Sequence, residues 1–237
     1  MTSTYIEGDI HTVIKDLPDN SFNLIYTSPP YGTTNAKWDK SLDWDVLFPE
    51  LWRVVKDDGI IILHASMPFT YELIKKSPTD PKYHYIWKKN NSTNFFKAKL
   101  QPLRDTEEVF VYYKNPGTYN PQMIGNKFYP KRKVKVGSEA NTYFGKRDNI
   151  KKSHTIHNEG HTGRYPTTFL EYKVRKDDTG ITRTDEMMDY FIKTYSNEGD
   201  SILDFTCHNN YLGDRCSYLK RHFTGVDIEL CYVLPKL

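Results

Sequence analysis

The sequence predicts an α/β fold in which helices connect the strands of one open sheet. Strand-like and helix-like spacings of apolar residues alternate from residue 5 to the helix that follows Pro68. Residues 201–227 then repeat the order strand, helix, strand, with an acidic residue at the end of both strands. Such crossover connections make strands parallel, and open α/β sheets bind ligands at the carboxyl ends of their strands.

The N-terminal elements follow from the spacing of their apolar residues. Residues 5–9 are predicted as a short strand ending in a turn, and residues 10–17 carry apolar side chains at helical intervals. Residues 22–27 form a mostly apolar strand. A helix is expected over residues 44–55, and Lys56-Asp57-Asp58-Gly59 is expected to end it.

The next elements continue the sheet. Residues 59–64 are apolar on both faces, which is typical of a fully buried strand. A helix follows Pro68. Residues 84–87 and 108–113 are predicted as two more strands, joined by the polar stretch 88–106.

Residues 116–176 differ from the rest of the chain in charge. They contain 13 Lys and Arg against 4 Asp and Glu, a balance of +9, whereas the whole chain has a net charge of +3. They show no clear apolar period and exceed an ordinary connection in length, so we expect a loop-rich inserted module outside the sheet. A basic block of this kind indicates a polyanionic partner such as nucleic acid, and a solvated lysine-rich loop is the alternative.

The C-terminal part completes the sheet. Helical spacing resumes at Asp185, and residues 201–205 form a strand that carries Asp204 near its end. A helix over residues 213–219 and a strand over residues 223–227 follow.

Composition excludes several classes of protein. The longest apolar run, residues 59–63, is too short for a membrane span, and the N-terminus lacks the basic and apolar segments of a secretory signal. Three cysteines without a CxxC pair favour a reducing cytosol. His154, His157 and His161 have no cysteine or paired acid nearby in the sequence, so no metal site is predicted.

The segment with the most chemical content is Ser28-Pro29-Pro30-Tyr31, directly after a buried strand. The two prolines fix φ and remove two backbone donors, and their carbonyls remain as acceptors. Ser28 adds a hydroxyl and Tyr31 a flat ring. Such a segment can stack on a planar ring while two oxygens accept the hydrogens of an exocyclic amino group. A rigid turn with a packed tyrosine is the alternative.

In this context the sequence resembles the DNA amino-methyltransferases, which methylate the exocyclic nitrogen of adenine or cytosine. Their catalytic motif is Asp/Asn/Ser-Pro-Pro-Tyr/Phe, and Ser28-Pro29-Pro30-Tyr31 matches its serine form. Further similar segments follow one another over nearly the whole chain: Glu7-Gly8-Asp9, Leu17-Pro18-Asp19-Asn20-Ser21, residues 32–39, residues 96–104, Tyr119-Asn120-Pro121-Gln122, Arg164-Tyr165-Pro166-Thr167 and residues 195–200.

The order of these segments resembles the arrangement called class beta in this family. The resemblance implies a Rossmann-like, S-adenosylmethionine-dependent methyltransferase sheet, permuted so that the catalytic half precedes the cofactor half. Residues 1–115 would then form the catalytic half, residues 116–176 a basic target-recognition insert and residues 177–237 the cofactor-binding half.

The resemblance also implies roles for individual residues. The catalytic group would be Ser28, Pro29, Pro30 and Tyr31. The cofactor S-adenosylmethionine would be bound by Asp9, Ile10, Ser28, Thr182, Asp204, Phe205, Thr206, Asn209, Asp227 and Ile228. Asp227 or Glu229 would accept the ribose hydroxyls, because a carboxylate can take two hydroxyl donors. DNA would be contacted by Lys37, Lys131, Arg132, Lys133, Lys135, Lys146 and Arg147.

Two segments of the cofactor half depart from the family pattern. The cofactor loop normally reads Asp-Phe/Pro-Phe-x-Gly-x-Gly-Thr-Thr, and here His208 and Asn210 occupy the glycine positions. Glycine permits unusual φ and a close approach of backbone to ligand, and asparagine tolerates the left-handed region better than histidine. Residues 179–184 replace the family's His-Pro-Thr-Gln-Lys-Pro. Cofactor binding is therefore expected through altered contacts, and its loss is the alternative.

The resemblance implies methylation of adenine N6 in double-stranded DNA. The serine form of the motif is more usual in cytosine enzymes, so cytosine N4 is the alternative. A catalytically inactive DNA-binding homologue is the alternative of another class, and an RNA or protein-amide methyltransferase is a third. The expected location is the cytoplasm of a bacterial, phage or viral context, without a membrane partner and with a possible homodimer.

Overall fold

The computed structural model describes residues 1–130, 132–135, 155–158, 160–177 and 180–230, with the backbone alone for 132–135, 155–158, 175–177 and 180–182. The helices are α1 (Ile10–Asp16), α2 (Trp44–Val54), α3 (Phe69–Lys76), α4 (Asp185–Tyr195), α5 (Tyr211–Tyr218) and a short 3-10 helix (Phe95–Lys97). The strands are β1 (Ser3–Glu7), β2 (Phe22–Thr27), β3 (Val55–Ala65), β4 (Tyr83–Thr93), β5 (Arg104–Tyr113), β6 (Ile124–Tyr129), β7 (Arg132–Lys135), β8 (Thr155–Asn158), β9 (His161–Arg164), β10 (Phe169–Glu171), β11 (Val174–Asp177), β12 (Gly180–Arg183), β13 (Ser201–Asp204) and β14 (His222–Asp227). Lys131, Lys146 and Arg147, which we expect to contact DNA, lie outside the described residues.

Within the described residues, eight strands form the main sheet in the order β1-β14-β13-β2-β3-β5-β4-β10. The first five run parallel to one another. Strand β5 is antiparallel to both of its neighbours, and β10 is parallel to β4. The predicted α/β class with crossover connections is confirmed.

Helices cover both faces of this sheet. Helices α1, α2 and α3 pack on one face, where Leu51 is fully buried, and α4 and α5 pack on the other, where Phe191 is fully buried. Strand β3 lies between the two cores, with Ile61 in the first and Ile62 in the second. Burial of both alternating sets explains why this strand is a continuous apolar run.

The predicted start of the buried strand at residue 59 is wrong, because β3 already begins at Val55 and includes residues 56–58, which we expected only to end the helix. Helix α2 ends at Val54, and the Val55 N–H still bonds to the carbonyl of Leu51, so the strand begins without a connecting turn. The pairing with β2 is irregular here, with contacts at Val55 and again at Ile60. The polar residues of β3 lie between these two pairing positions, where the register shifts. A search of the sequence for regular alternation of apolar residues does not detect such an irregular part of a strand.

The predicted bounds of the β4–β5 hairpin are also wrong. Strand β4 continues to Thr93 and β5 begins at Arg104, so the connecting loop is residues 94–103 rather than 88–106. The polar ends of both strands are only partly buried, so they lack the apolar pattern by which the sequence predicted strands.

Strand β10 is another departure, because residues 169–171 fall in the predicted insert and yet join the main sheet. Leu170 is buried while Phe169 and Glu171 are exposed, as expected for an edge strand. Three residues are too few for a recognisable alternation.

The chain divides into two compact units. One comprises residues 1–120 and 167–237, and the other comprises residues 121–166. In the second unit, β6 pairs with β9 and β7 pairs with β8, both antiparallel. The role of this unit in target recognition stays a prediction. None of the described helices is long and apolar enough to cross a membrane.

Candidate active site

The carboxyl ends of the parallel strands meet at one edge of the main sheet. The register pairs Glu7 of β1 with Asp227 of β14, and Leu203 of β13 with Ile25 of β2. Asp9, Ser28, Asp204 and Asp227 therefore follow or end neighbouring strands at this edge. Acids predicted from separate parts of the sequence are brought to one side of the sheet, where open α/β folds bind ligands.

The Tyr31 ring is fixed at this edge by two contacts. It stacks on Phe69 with ring centroids 5.0 Å apart and planes 15° apart. Its hydroxyl donates a hydrogen bond to Oε1 of Glu107 at 2.8 Å. Burial, and next the negative charge of Glu107, raise the pKa of the Tyr31 hydroxyl well above its usual value, so this group remains a neutral donor.

The backbone that follows Tyr31 is held by Asp39. This buried carboxylate accepts hydrogen bonds from the N–H groups of Gly32 at 2.7 Å, Thr33 at 2.9 Å and Thr34 at 2.7 Å. Gly32 has a φ of +64°, which glycine adopts without strain. Burial alone would raise the pKa of Asp39, but its hydrogen bonds outweigh burial and lower it. The sequence analysis did not identify this residue as an anchor.

Asp204 is fully buried, and its carboxylate accepts hydrogen bonds from three protein groups. It accepts from the Thr27 hydroxyl at 2.6 Å, from the Thr206 N–H at 3.2 Å and from the guanidinium of Arg183 at 3.2 Å. Thr27 precedes Ser28, and the Thr206 hydroxyl donates to the Ser28 carbonyl at 3.4 Å. Asp204 and Thr206 thus connect the predicted cofactor segment to the catalytic motif.

The loop after Asp204 keeps a glycine-like backbone at one of its two substituted positions. His208 has a φ of +57°, and its N–H donates to Oδ2 of Asp227 at 2.8 Å. Asn210 has a φ of −85°, so its tolerance of the left-handed region is not needed here. It precedes α5, where an ordinary right-handed conformation suffices. Asn209 is buried, and its Oδ1 accepts from the Tyr211 N–H at 3.1 Å.

Asp227 is the half-buried acid at the end of β14. Besides the bond from His208, its Oδ1 accepts from the Glu229 N–H at 3.3 Å. Burial raises the pKa of Asp227, and these backbone bonds oppose the shift. The neighbouring Ile228 is exposed.

Asp9 caps the N-terminus of α1. It accepts from the His11 N–H at 2.9 Å and contacts His11 Nδ1 at 2.7 Å, and the first of these bonds is the main reason that its pKa is lowered. Asp9 is exposed at the edge, whereas Ile10 and Phe205 are buried in the core. Thr182 pairs through its backbone with Arg175, and Lys37 is exposed near the Tyr31 loop.

Glu107 is another residue of this site whose role was not predicted from the sequence. Its Oε1 contacts Nδ1 of His64 at 3.1 Å as well as Tyr31, and its Oε2 accepts from Lys89 at 3.0 Å. Burial would raise its pKa, but the hydrogen bonds from His64 and Tyr31 and the positive charge of Lys89 outweigh burial and lower it to about 2. A depressed pKa stabilises the fold above the unfolded-state value of about 4.3, and that stabilisation is lost as the pH falls towards 2. The sequence clue was a carboxylate directly before an apolar strand.

These features define a Rossmann-like α/β protein with a ligand site at the carboxyl edge of its sheet. The family model described as DNA methylase matches residues 22–234, and the chain belongs to this family. It is therefore a methyltransferase that acts on DNA.

Individual relatives are similar over nearly the whole chain. Type II methyltransferase M.HpaI of Haemophilus parainfluenzae is 25% identical over 236 residues, which cover 93% of this chain and 68% of that protein. The crystal structure of the M1.HpyAVI–SAM complex has a TM-score of 0.55 and 18% identity, covering 96% of this chain and 93% of that chain. PvuII DNA methyltransferase, described as cytosine-N4-specific, has a TM-score of 0.61 and 12% identity, covering 97% of this chain and 83% of that chain. The two structural likenesses support the fold.

Proposed function

We propose that the protein transfers a methyl group from S-adenosylmethionine to N6 of adenine in double-stranded DNA. The observation that supports this most directly is the Tyr31 loop. Its ring is fixed on one face by Phe69 and through its hydroxyl by Glu107, at the edge where Asp9, Asp204 and Asp227 also lie.

The residues at this edge fit the cofactor. Asp227 is oriented by two backbone N–H groups, which leaves a carboxylate suited to ribose hydroxyls, and Asp9 is exposed beside it. The positive φ of His208 keeps the loop in a conformation that glycine would also adopt. When bound, S-adenosylmethionine supplies an electrophilic methyl group.

The chain's own residues position the base. The target must leave the duplex to reach a site at the sheet edge, at a cost of a few kcal/mol. The face of Tyr31 opposite Phe69 stacks on the base, and the Ser28 hydroxyl and Pro29 carbonyl accept the two amino hydrogens. These acceptors direct the nitrogen lone pair towards the methyl donor. Positioning is then the main contribution to rate. No strong general base is required, because the methylated nitrogen is positively charged and acidic and loses its extra proton after the transfer.

The choice of base is tested by nucleoside analysis of mixed-sequence DNA treated with the purified protein and S-adenosylmethionine. We expect N6-methyladenine, because the wider sequence resembles adenine enzymes. The serine at position 28 favours the second candidate, cytosine N4 methylation. The appearance of N4-methylcytosine alone would replace adenine with cytosine in this proposal.

The inactive DNA-binding alternative rests on His208 in the cofactor loop. Calorimetric titration with S-adenosylmethionine separates it from the proposal. Measurable binding supports the enzyme. DNA binding without detectable heat at high cofactor concentration would favour the alternative.

An exposed aromatic loop at the catalytic edge supplies a prediction about DNA binding. The register Ala65–Glu108 places the β4–β5 loop at the same edge as Ser28. In this loop Phe96 is fully exposed, Phe95 and Leu100 are 62% and 85% exposed, and Lys97 and Lys99 are exposed between them. Apolar side chains flanked by cations suit insertion between bases beside phosphates.

We expect Phe96→Ala to weaken DNA binding by roughly 5- to 150-fold, from ~1–3 kcal/mol of lost stacking. Affinity for mixed-sequence duplex DNA measures the effect, and cofactor affinity should not change. Tyr218→Ala is the matched control, since Tyr218 is 70% exposed near Ser217, which contacts Ser3 at the opposite edge. Equal affinities of the two variants would contradict a DNA-binding role for this loop. Contacts from the basic insert, including Arg132, Lys133 and Lys135, stay a separate prediction.

A further inference from the structure

A single carboxylate, Glu107, joins three separate segments beside the Tyr31 loop. Its hydrogen-bond partners are Tyr31 after β2 at 2.8 Å, His64 in β3 at 3.1 Å and Lys89 in β4 at 3.0 Å. The Glu107 and Lys89 side chains are each 11% exposed. These are charge-assisted bonds in a largely buried setting, where they constrain geometry more than exposed pairs do.

His64 and Lys89 determine how the negative charge of the Glu107 carboxylate is balanced. An ionised carboxylate only accepts hydrogen bonds, so Nδ1 of His64 carries the proton of that contact. His64 is fully buried among the rings of Tyr26, Trp87 and Phe191. Burial lowers the pKa of His64 and keeps it neutral, despite the opposing effect of Glu107. The ammonium of Lys89 therefore supplies the balancing charge.

Tyr31 has two constraints with different consequences. Stacking on Phe69 limits the distance of the ring from α3 but allows it to slide in its own plane. The hydroxyl bond to Glu107 fixes the outer end of the ring and so removes that freedom. Loss of the hydroxyl bond would leave the ring present but its position variable.

We propose that Glu107 is a positioning residue for Tyr31, which holds the ring in the plane on which the target base stacks. This inference rests on the proposed function, because the base-stacking role of Tyr31 belongs to it. The competing explanation is that Glu107 only neutralises Lys89 in the fold.

A double-mutant cycle on the purified protein tests the coupling. Tyr31→Phe and Glu107→Ala should each lower kcat on mixed-sequence DNA by about tenfold or more, since a misplacement of about 1 Å can cost ~100-fold. The double variant should be no slower than Glu107→Ala, and Glu107→Gln should recover part of the loss because it keeps an acceptor for the Tyr31 hydroxyl. Glu108→Gln is the matched control and should retain the parent kcat. The Glu108 carboxylate is next to Glu107 in the sequence but accepts its hydrogen bond from the Thr70 hydroxyl, at 3.2 Å.

Three kinetic outcomes would overturn the proposal. One is a double variant whose kcat falls by the product of the two single-variant factors, because that result indicates independent roles. Another is a parent-like kcat in Tyr31→Phe, which does not disturb the Lys89 charge. A change confined to KM would also contradict positioning during the chemical step.

A second measurement needs neither DNA nor cofactor. In protein with 13C-labelled tyrosine rings, the Tyr31 resonance is identified by its loss in Tyr31→Phe. Glu107→Gln should shift that resonance, whereas Glu108→Gln should not. If the parent protein transfers no methyl group while the shift is present, the proposed function fails and the contact stands. An unshifted Tyr31 resonance in Glu107→Gln would overturn the contact itself.

Discussion

Tyr31→Ala is expected to lower kcat/KM for DNA methylation by roughly 5- to 150-fold, from the ~1–3 kcal/mol that stacking on a base contributes. The structure adds a cost in stability, because Tyr31 also packs on Phe69 and bonds to Glu107. Removal of a packed aromatic ring costs up to ~3–5 kcal/mol when the site is fully enclosed, and less at this half-buried position. Methyl transfer from labelled S-adenosylmethionine to mixed-sequence DNA measures the catalytic effect.

Controls separate the lost ring from a lost fold. Tyr31→Phe keeps the stacking surface, so it should retain more activity than Tyr31→Ala. Thermal unfolding and cofactor affinity of Tyr31→Ala should remain measurable, since Asp227 ends β14 and Asp9 caps α1, both outside the Tyr31 loop. A Tyr31→Ala variant with the parent kcat/KM would remove Ser28-Pro29-Pro30-Tyr31 from the active site.

Much of the fold could be predicted because its information is local. The helices α1, α3 and α4 and the strands β2 and β14 follow from apolar spacing within a few residues. The errors fall where local composition conflicts with pairing. Residues 56–58 are charged yet extend β3, and residues 169–171 form an edge strand too short to show a period.

The site divides in the same way. The motif Ser28-Pro29-Pro30-Tyr31 is contiguous, so it was visible in the sequence. The bond between Thr27 and Asp204 joins residues 177 positions apart, and Glu107 meets Tyr31 across 76 positions. No local pattern reports such contacts, because they depend on which strands become neighbours in the sheet. The left-handed backbone of His208 is likewise a property of the folded loop.

The long-range bonds of Asp204 lead to the second large expected effect. Its carboxylate is fully buried and pairs with Arg183, whose side chain is 14% exposed. Removing one partner of a buried ion pair costs ~3–5 kcal/mol, because the remaining charge stays desolvated. Asp204 also accepts from Thr27, which immediately precedes the catalytic motif. Its loss should therefore disturb the Ser28 loop as well as the stability of the fold.

We expect Asp204→Ala to lower the free energy of unfolding by about 3–5 kcal/mol, measured as a reduced urea midpoint at an unchanged slope. Asp204→Asn should lower the free energy of unfolding by less. Asparagine has the same size as aspartate, and its amide oxygen can still accept the hydrogen bond from Thr27. Asp57→Ala is the matched control: Asp57 pairs with Lys114 at 3.3 Å on the surface, where such pairs contribute about 0–1 kcal/mol. If Asp204→Ala unfolds at the same urea concentration as Asp57→Ala, the buried contacts of Asp204 do not stabilise the fold as we expect. A stability loss that is largest in Asp204→Ala, smaller in Asp204→Asn and near zero in Asp57→Ala, with methyl transfer reduced in both Asp204 variants, is the result that this geometry predicts.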